Sequence, residues 1–337
     1  MPRTTHWAGP ILAILLSALL AGCESGGRTA DGTPKSGGGG AVERGTDKLT
    51  VAEQASAEGE YQVALALFRE ILAEDPMETR AYLGIGDIFV HERDYRSAEP
   101  YYERASRIDP RNYRAQFSYG HVLQLLDRFV ESARAYQRAL ALNPEGVEAN
   151  LGLGATYLRM DEPEHAVSFA EKAVQLDPRN GQARASLGEV YEVSARVEEA
   201  IAQYLIALEL LDDPRHVMRR LAEVLIAEER FVEAVNTTES LAKLDPSGSS
   251  FALLGRAQFK IGAYDDSLQS YRNATEQDGG DWGAWNGLGV NALNRWLLSA
   301  KADDGARLEA RNAFRQSLRL NSSQQNVIVL MQKYGLQ

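Results

Sequence analysis

The chain has 337 residues, of which 44% are hydrophobic, 25% are charged and one is a cysteine. A formal net charge of −11 repels nucleic-acid phosphates and anionic headgroups, which argues against either as the main ligand. With one cysteine there is no intrachain disulfide and no paired-cysteine metal site.

The chain opens on Met1-Pro2-Arg3-Thr4-Thr5-His6, followed by an apolar run over 11–21 and small residues up to Cys23. This order matches the parts of an export signal over 1–22. The run is shorter than the roughly 20 apolar residues that a membrane-spanning helix needs. Leu20-Ala21-Gly22-Cys23 resembles the lipobox of bacterial lipoproteins. The resemblance implies cleavage before Cys23 and acylation of its thiol and new amino group, making Cys23 the lipidation site and first mature residue. The alternative is a plain secretory signal in which Cys23 is incidental. A single acyl chain binds membranes marginally and two or more hold firmly, so full modification makes a stable anchor. Removal of 1–22, which carries Arg3 and no acid, leaves a mature charge near −12.

From Cys23 to residue 44 the chain is Gly, Ser, Thr and charge, including Gly37 to Gly40, with almost nothing apolar to bury. It reads as a disordered tether. A flexible coil of that length reaches about 25 Å, enough to hold a folded region clear of headgroups.

Beyond the tether three combs of residues recur at one period. Prolines stand at Pro76, Pro110, Pro144 and Pro178, 34 apart, and Pro246 follows two steps later. Small residues recur at Ala52, Gly86, Gly120, Gly154, Gly188 and Ala222, and again at Ala64, Ala98, Ser132, Ala166, Ala200 and Ala234. Rings recur at Phe68, Tyr102, Tyr136 and Tyr204. Asp or Asn precedes each comb proline, where the α conformation is disfavoured and a turn is favoured, so a helix ends there. Ala115, Tyr119, Val122 and Leu123, then Ala133, Tyr136, Ala139, Leu140 and Leu142, follow helical spacing on either side of a turn at Asp127-Arg128. Small residues at Gly120 and Ser132 let paired helices approach, and the ring of Tyr136 fills the gap between neighbouring hairpins.

Leu153-Gly154, Tyr157, Ala166, Ala173 and Pro178 carry a resemblance to the tetratricopeptide repeat, which extends over about residues 45–322. It implies an all-α, right-handed solenoid of about eight helical hairpins, with repeats starting near 45, 79, 113, 147, 181, 215, 248 and 282. A step of 33 before 248 marks one deleted residue. Pro214 stands two places late, and Thr238 replaces a ring. About nine extra residues in the last repeat are placed at the end of its first helix and the turn Ala302-Asp303-Asp304-Gly305. The run over 323–337, with Val327, Ile328, Leu330 and Met331 and a stop at Gly335, reads as a capping helix.

Little in the chain points to catalysis, and no catalytic residue, metal site or cofactor is expected. Gly84-x-Gly86, Gly152-x-Gly154 and Gly287-x-Gly289 do not complete a nucleotide-binding loop, and one glycine of each lies on the repeat comb. Asp87, His91 and His121 are the one set with metal-ligand chemistry at adjacent helical positions, and they still want a fourth ligand. Trp285 sits at the family's tryptophan position and reads as core. Trp282 and Trp296 lie off the comb, and each either covers the insertion or forms an exposed contact.

In the family the first helices line a concave groove. Mapped here, that groove presents Leu83, Asp87, Val90 and His91 in repeat two, Arg114, Phe117, His121 and Gln124 with Leu125 in repeat three, and Leu151, Leu158 and Arg159 with Glu148 in repeat four. An apolar strip flanked by charge suits a partner's peptide or amphipathic helix better than a small-molecule substrate. Glu189, Glu192, Arg219, Glu223, Arg256 and Lys260 make the later repeats more polar. The Lys and Asn pattern by which some family members clamp a chain-terminal carboxylate is missing at these positions. The layout is similar to tetratricopeptide lipoproteins of type IV and Flp pilus systems, which implies a lipid-anchored, periplasm-facing scaffold in a bacterial envelope machine. Adaptors of peptidoglycan or polysaccharide enzymes are the alternative, and a metal-dependent enzyme using Asp87, His91 and His121 a remote one. Glu24 after the cysteine leans the expected location to the outer membrane.

Overall fold

A computed structural model describes the backbone of residues 40–337 and the side chains from residue 48 onward. The signal-like segment 1–22, Cys23 and the tether up to residue 39 lie outside the described residues. Among the described residues the secondary structure is helical without strands, and no helix is long and apolar enough to cross a membrane. Hairpin one pairs α1 (Gly40–Ala57) with α2 (Tyr61–Glu74), and hairpin two pairs α3 (Thr79–His91) with α4 (Tyr95–Ile108). Then come α5 (Tyr113–Leu125) with α6 (Phe129–Leu142), and α7 (Val147–Arg159) with α8 (Pro163–Leu176). Next are α9 (Gly181–Val193) with α10 (Val197–Leu210), and α11 (Arg215–Ala227) with α12 (Phe231–Leu244). The last two hairpins are α13 (Gly248–Lys260) with α14 (Tyr264–Gln277) and α15 (Trp282–Leu298) with α16 (Asp304–Leu320), followed by α17 (Gln325–Tyr334). The start of α1 at Gly40 lies inside the segment read as tether. Buried Leu49 and Ala52 anchor that helix, and extending an existing helix backwards is far cheaper than starting one.

Two turns repeat along the array. Between the helices of one hairpin, the fifteenth residue adopts the left-handed conformation in the first seven repeats: Gly59, Arg93, Asp127, Asp161, Ala195, Glu229 and Gly262 all have φ between 57° and 82°. Only two of the seven are glycine, so packing on both sides imposes a backbone shape that the others adopt at a cost. Between hairpins, Asp75, Asp109, Asn143 and Asp177 before the first four comb prolines each accept a hydrogen bond from the backbone N–H two residues on, as in Asp75 to Met77 (2.9 Å) and Asn143 to Glu145 (3.1 Å), whereas Asp245 accepts from the Ser247 hydroxyl (3.0 Å). These side chains replace the helical hydrogen bond at the point where proline forbids its continuation. Most connectors between hairpins have four residues, and the one before α13 has three, which accounts for the shortened period there.

The hairpins interlock through rings set against glycines. A Cβ on Gly120 would lie 3.0 Å from the Tyr136 ring of its own hairpin, and one on Gly152 would lie 2.4 Å from the same ring. Tyr136 is therefore held between the first helices of two successive hairpins. Tyr271 is held in the same way between Gly255 and Gly287, and Phe68 meets Gly84 at 2.3 Å. Gly84-x-Gly86 and Gly287-x-Gly289 thus each accommodate their own ring and their predecessor's, whereas Gly152-x-Gly154 takes the predecessor's ring and lies against the backbone of Ala166. Where repeat six has the smaller Thr238, the next first helix carries Leu253 in place of the first glycine of the pair, and both side chains are buried. Within a hairpin, close approach lets the Ser132 hydroxyl donate to the Gly120 carbonyl (2.8 Å) and Ser267 to Gly255 (2.7 Å).

The insertion in the last hairpin falls at the end of its first helix and in the turn, as expected, and extends into its second helix. Relative to hairpin seven, α15 gains four residues, α16 gains three and the turn gains two. Asp304 and Gly305 belong to the first turn of α16, which Asp303 caps by accepting from the Ala306 N–H (2.9 Å). The longer turn places both Ala300 and Lys301 at positive φ. α17 lays Val327 and Met331 into the core around Leu288 and Phe314, and ends where Gly335 turns left-handed at φ 63°.

Gly287→Ala should destabilise the array by about 1–3 kcal/mol despite alanine's better helix propensity, because a Cβ there falls 2.2 Å from the Tyr271 ring. A lower thermal unfolding midpoint by circular dichroism checks this, and an unchanged or higher midpoint contradicts it. Burial also pushes up the phenols of Tyr102, Tyr136 and Tyr204, and that of Tyr271 up to about 12. A phenol raised when folded contributes stability that is complete below its ordinary value near 10 and is lost as pH rises toward the folded value. Unfolding midpoints measured from pH 8 to pH 11 should therefore fall less steeply for Tyr271→Phe than for the unaltered chain.

Candidate functional site

Which helices face inward follows from the packing. Each helix packs on the next in sequence, and first helices also meet across neighbouring hairpins, as α3 with α5, α5 with α7, α7 with α9, α11 with α13 and α13 with α15. Second helices do not meet one another to that extent. The first helices therefore form the tighter, inner layer, and between α3 and α15 the step from α9 to α11 is the loosest.

The groove residues expected from the sequence divide into three groups. Leu83 is corrected to a core residue: it is 2% exposed and packs with Tyr102, Tyr119 and Val122, because α5 closes over it. Val90, Leu151 and Leu158 are half-buried, each leaning on the core. The remainder form polar or aromatic contacts. Asp87 accepts from the Tyr102 hydroxyl (2.6 Å) and pairs with exposed Arg114. Gln124 accepts from the Tyr136 hydroxyl (3.1 Å) and donates to the Gly152 carbonyl (3.4 Å), tying two hairpins together. Arg159 is exposed, reaches Asp127 (3.3 Å) and lies 5.0 Å over the Phe129 ring.

Phe117 is the centre of an aromatic row along α5. Its ring stacks at 6.1 Å on Tyr113 and at 6.2 Å on His121, both nearly parallel, with Tyr136 behind it at 5.8 Å. Burial lowers the affinity of His121 for a proton, so the row is uncharged at neutral pH. His91 is exposed, and its ring lies 4.7 Å from Tyr61 of the preceding hairpin. Asp87 is already engaged and His91 stacks toward hairpin one. Among the described residues no group of three potential ligands that includes these side chains is close enough to hold a metal ion.

Two recurring features were not evident from sequence. The fourth residue of five repeats donates to the carbonyl six residues earlier: Tyr82 to Pro76 (3.3 Å), Gln116 to Pro110 (3.4 Å), Asn150 to Pro144 (3.4 Å), Arg184 to Pro178 (3.2 Å) and Trp285 to Gly279 (3.0 Å). Trp285 is thus half-buried with its indole N–H occupied, where full burial was expected. The signal was present as a 34-residue spacing of side-chain donors, hidden by their chemical variety. Comb tyrosines also reach the inner face, since Tyr204 donates to Glu192 (2.8 Å) as Tyr102 does to Asp87. Of the two off-comb tryptophans, Trp296 is buried and donates to the Lys301 carbonyl (3.2 Å), whereas Trp282 is 45% exposed.

The comparisons with known proteins agree with this geometry. The tetratricopeptide repeat model matches residues 52–113, 120–181 and 156–214. PilF of Pseudomonas aeruginosa is similar in structure at 20% identity, over 61% of this chain and 93% of its own, with a TM-score of 0.54. A tetratricopeptide repeat protein from Parabacteroides merdae is similar at 13% identity, over 74% of this chain and 99% of its own, with a TM-score of 0.55. No curated protein matches the sequence. Combs, interlocked hairpins and family match together establish that the chain belongs to the tetratricopeptide repeat family.

Proposed function

We propose that the chain is a lipid-anchored scaffold of a bacterial cell envelope, holding a partner's peptide or amphipathic helix against the inner face of repeats two to four. The binding part rests on the uncharged row of Tyr113, Phe117 and His121. Half-buried Leu151 and Leu158 continue the apolar surface on the next first helix, and Arg114 and Arg159 border it with charge. A segment with apolar anchors and acidic neighbours complements such a surface. The lipobox-like Leu20-Ala21-Gly22-Cys23 supports the anchor, and the order of lipobox, tether and repeats supports service in a pilus, secretion or other envelope machine. The likeness to PilF is one of fold.

Cross-linking in the native membrane followed by capture through the full chain tests the binding surface. The unaltered chain should recover a defined partner, and Phe117→Ala combined with Leu158→Ala should reduce recovery about tenfold while the helical spectrum stays intact. Equal recovery by both proteins sinks the assignment of this face. For the anchor, mass spectrometry of the amino-terminal peptide should show acylated Cys23 at the mature terminus, and Cys23→Ser should abolish both acylation and cleavage before residue 23. A mature terminus elsewhere, or an unmodified Cys23, refutes the lipoprotein reading.

A further inference from the structure

On the inner face, the ninth residue of one repeat pairs with the second residue of the next in the first hairpins. Glu53 on α1 meets Arg80 on α3 at 2.6 Å, and Asp87 on α3 meets Arg114 on α5. At the last such step the ninth residue is Arg256 and the second is Gly283. The acid has become a guanidinium, and its bridging neighbour has lost its side chain. Arg256 is exposed and, among the described residues, has neither ion pair nor hydrogen bond.

The comb tyrosine of the same hairpin is unmatched in the same way. Tyr102, Tyr136 and Tyr204 each donate to an acceptor on the inner face, namely Asp87, Gln124 and Glu192. The corresponding places in repeat seven are Arg256 and Phe259, and neither side chain can accept. The Tyr271 hydroxyl accordingly has no partner among the described residues, although its ring is held between two glycines.

Tyr271 and Arg256 line one cavity of about 340 Å³ on the inner face, between α11, α13 and α15. The other charged groups of its wall are already engaged. Arg219 reaches Asp245 (3.3 Å) and Ser249 (3.1 Å), Glu223 lies 3.6 Å from Arg220, and Asp281 accepts from the Gly283 N–H (2.7 Å). The polar groups of the wall without a hydrogen bond or ion pair are then a guanidinium fork, which only donates, and a phenol hydroxyl free to donate. Burial keeps that phenol protonated at neutral pH.

We propose that this cavity binds a carboxylate of the partner, with Arg256 and Tyr271 supplying in repeat seven the donors that Asp87 and Glu192 satisfy from within the chain in repeats two and five. The inference rests on the reading of the inner face as protein-binding. Room for the incoming group comes from Gly283, where earlier repeats carry Arg80 or Arg114. Glu223 and Asp281 on the wall favour a singly charged carboxylate over a phosphate dianion. An acidic side chain and a chain terminus offer the same group.

Titration of the full chain, followed by the arginine Nε–Hε resonances, distinguishes these sources. The probes are N-acetylaspartyl-N-methylamide for a side-chain carboxylate, N-acetylglycine for a chain end, and N-acetylglycinamide as the neutral control. The Arg256 resonance, identified by its loss in Arg256→Gln, should move saturably with at least one carboxylate probe and not with the amide. Tyr271→Phe keeps the ring that locks the hairpins and should weaken that binding about tenfold. Saturation with the aspartyl probe alone assigns an acidic side chain, with N-acetylglycine alone a chain end, and with both a site open to either. No saturable shift at Arg256, an equal shift with the amide, or undiminished affinity in Tyr271→Phe overturns the proposal. These outcomes are independent of partner capture through Phe117 and Leu158, so the two readings fail separately.

Discussion

The array depends on one steric relation, a large ring set against glycine on a first helix, doubled at Tyr136 and Tyr271 where the next first helix supplies a second glycine. Tyr136 between Gly120 and Gly152 shows why the relation is stringent, since neither helix has room for even a methyl group beside the ring. Glycine in a helix interior costs about 1 kcal/mol relative to alanine. The array accepts that cost at nine first-helix positions, from Gly84 to Gly289, where a ring or close backbone lies against the missing side chain. The spacing between hairpins, the approach of Ser132 to Gly120 and the inward placement of the first helices all follow from the fit. Substitution of Thr238 and Leu253 for ring and glycine shows that the volume is conserved even where the residues are not.

The ring also links the core to the working surface. Its buried edge locks neighbours together while its hydroxyl emerges on the inner face and fixes a polar side chain there. Asp87, Gln124 and Glu192 are each oriented by a tyrosine whose ring is seated against a glycine of its own hairpin. Polar groups on the inner face thus inherit the precision of the core. Repeat seven keeps the tyrosine and drops the acceptor, leaving a rigidly placed donor on an otherwise adaptable surface.

Much of this architecture was legible because repetition multiplies weak signals. One proline or one Gly-Tyr pair means little, and the same spacing over successive periods identifies a helical hairpin array. Residue-level exposure was less legible. Leu83 and Phe117 occupy the same place in successive repeats, yet the first is sealed by α5 and the second remains half-open, a difference set by what the next hairpin carries. The donors of Tyr82, Gln116, Asn150, Arg184 and Trp285 escaped notice because five chemical types perform one task. The cavity at Arg256 was hidden because it follows from a missing side chain at Gly283, and a pattern search for recurring residues does not register an omission.

The loose step between α9 and α11 has a mechanical consequence. A stack of hairpins bends as an elastic rod whose compliance is concentrated where neighbouring units touch least. Among the first-helix steps from α3 to α15, the inner helices approach each other closely at the fewest places there, which makes the joint between repeats five and six the softer segment of that stretch. The aromatic row lies on one side of that joint and the Arg256 cavity on the other. A partner of the proposed kind that spanned both stations would set the curvature between them, and tension on the rod would be felt first as a change in their separation.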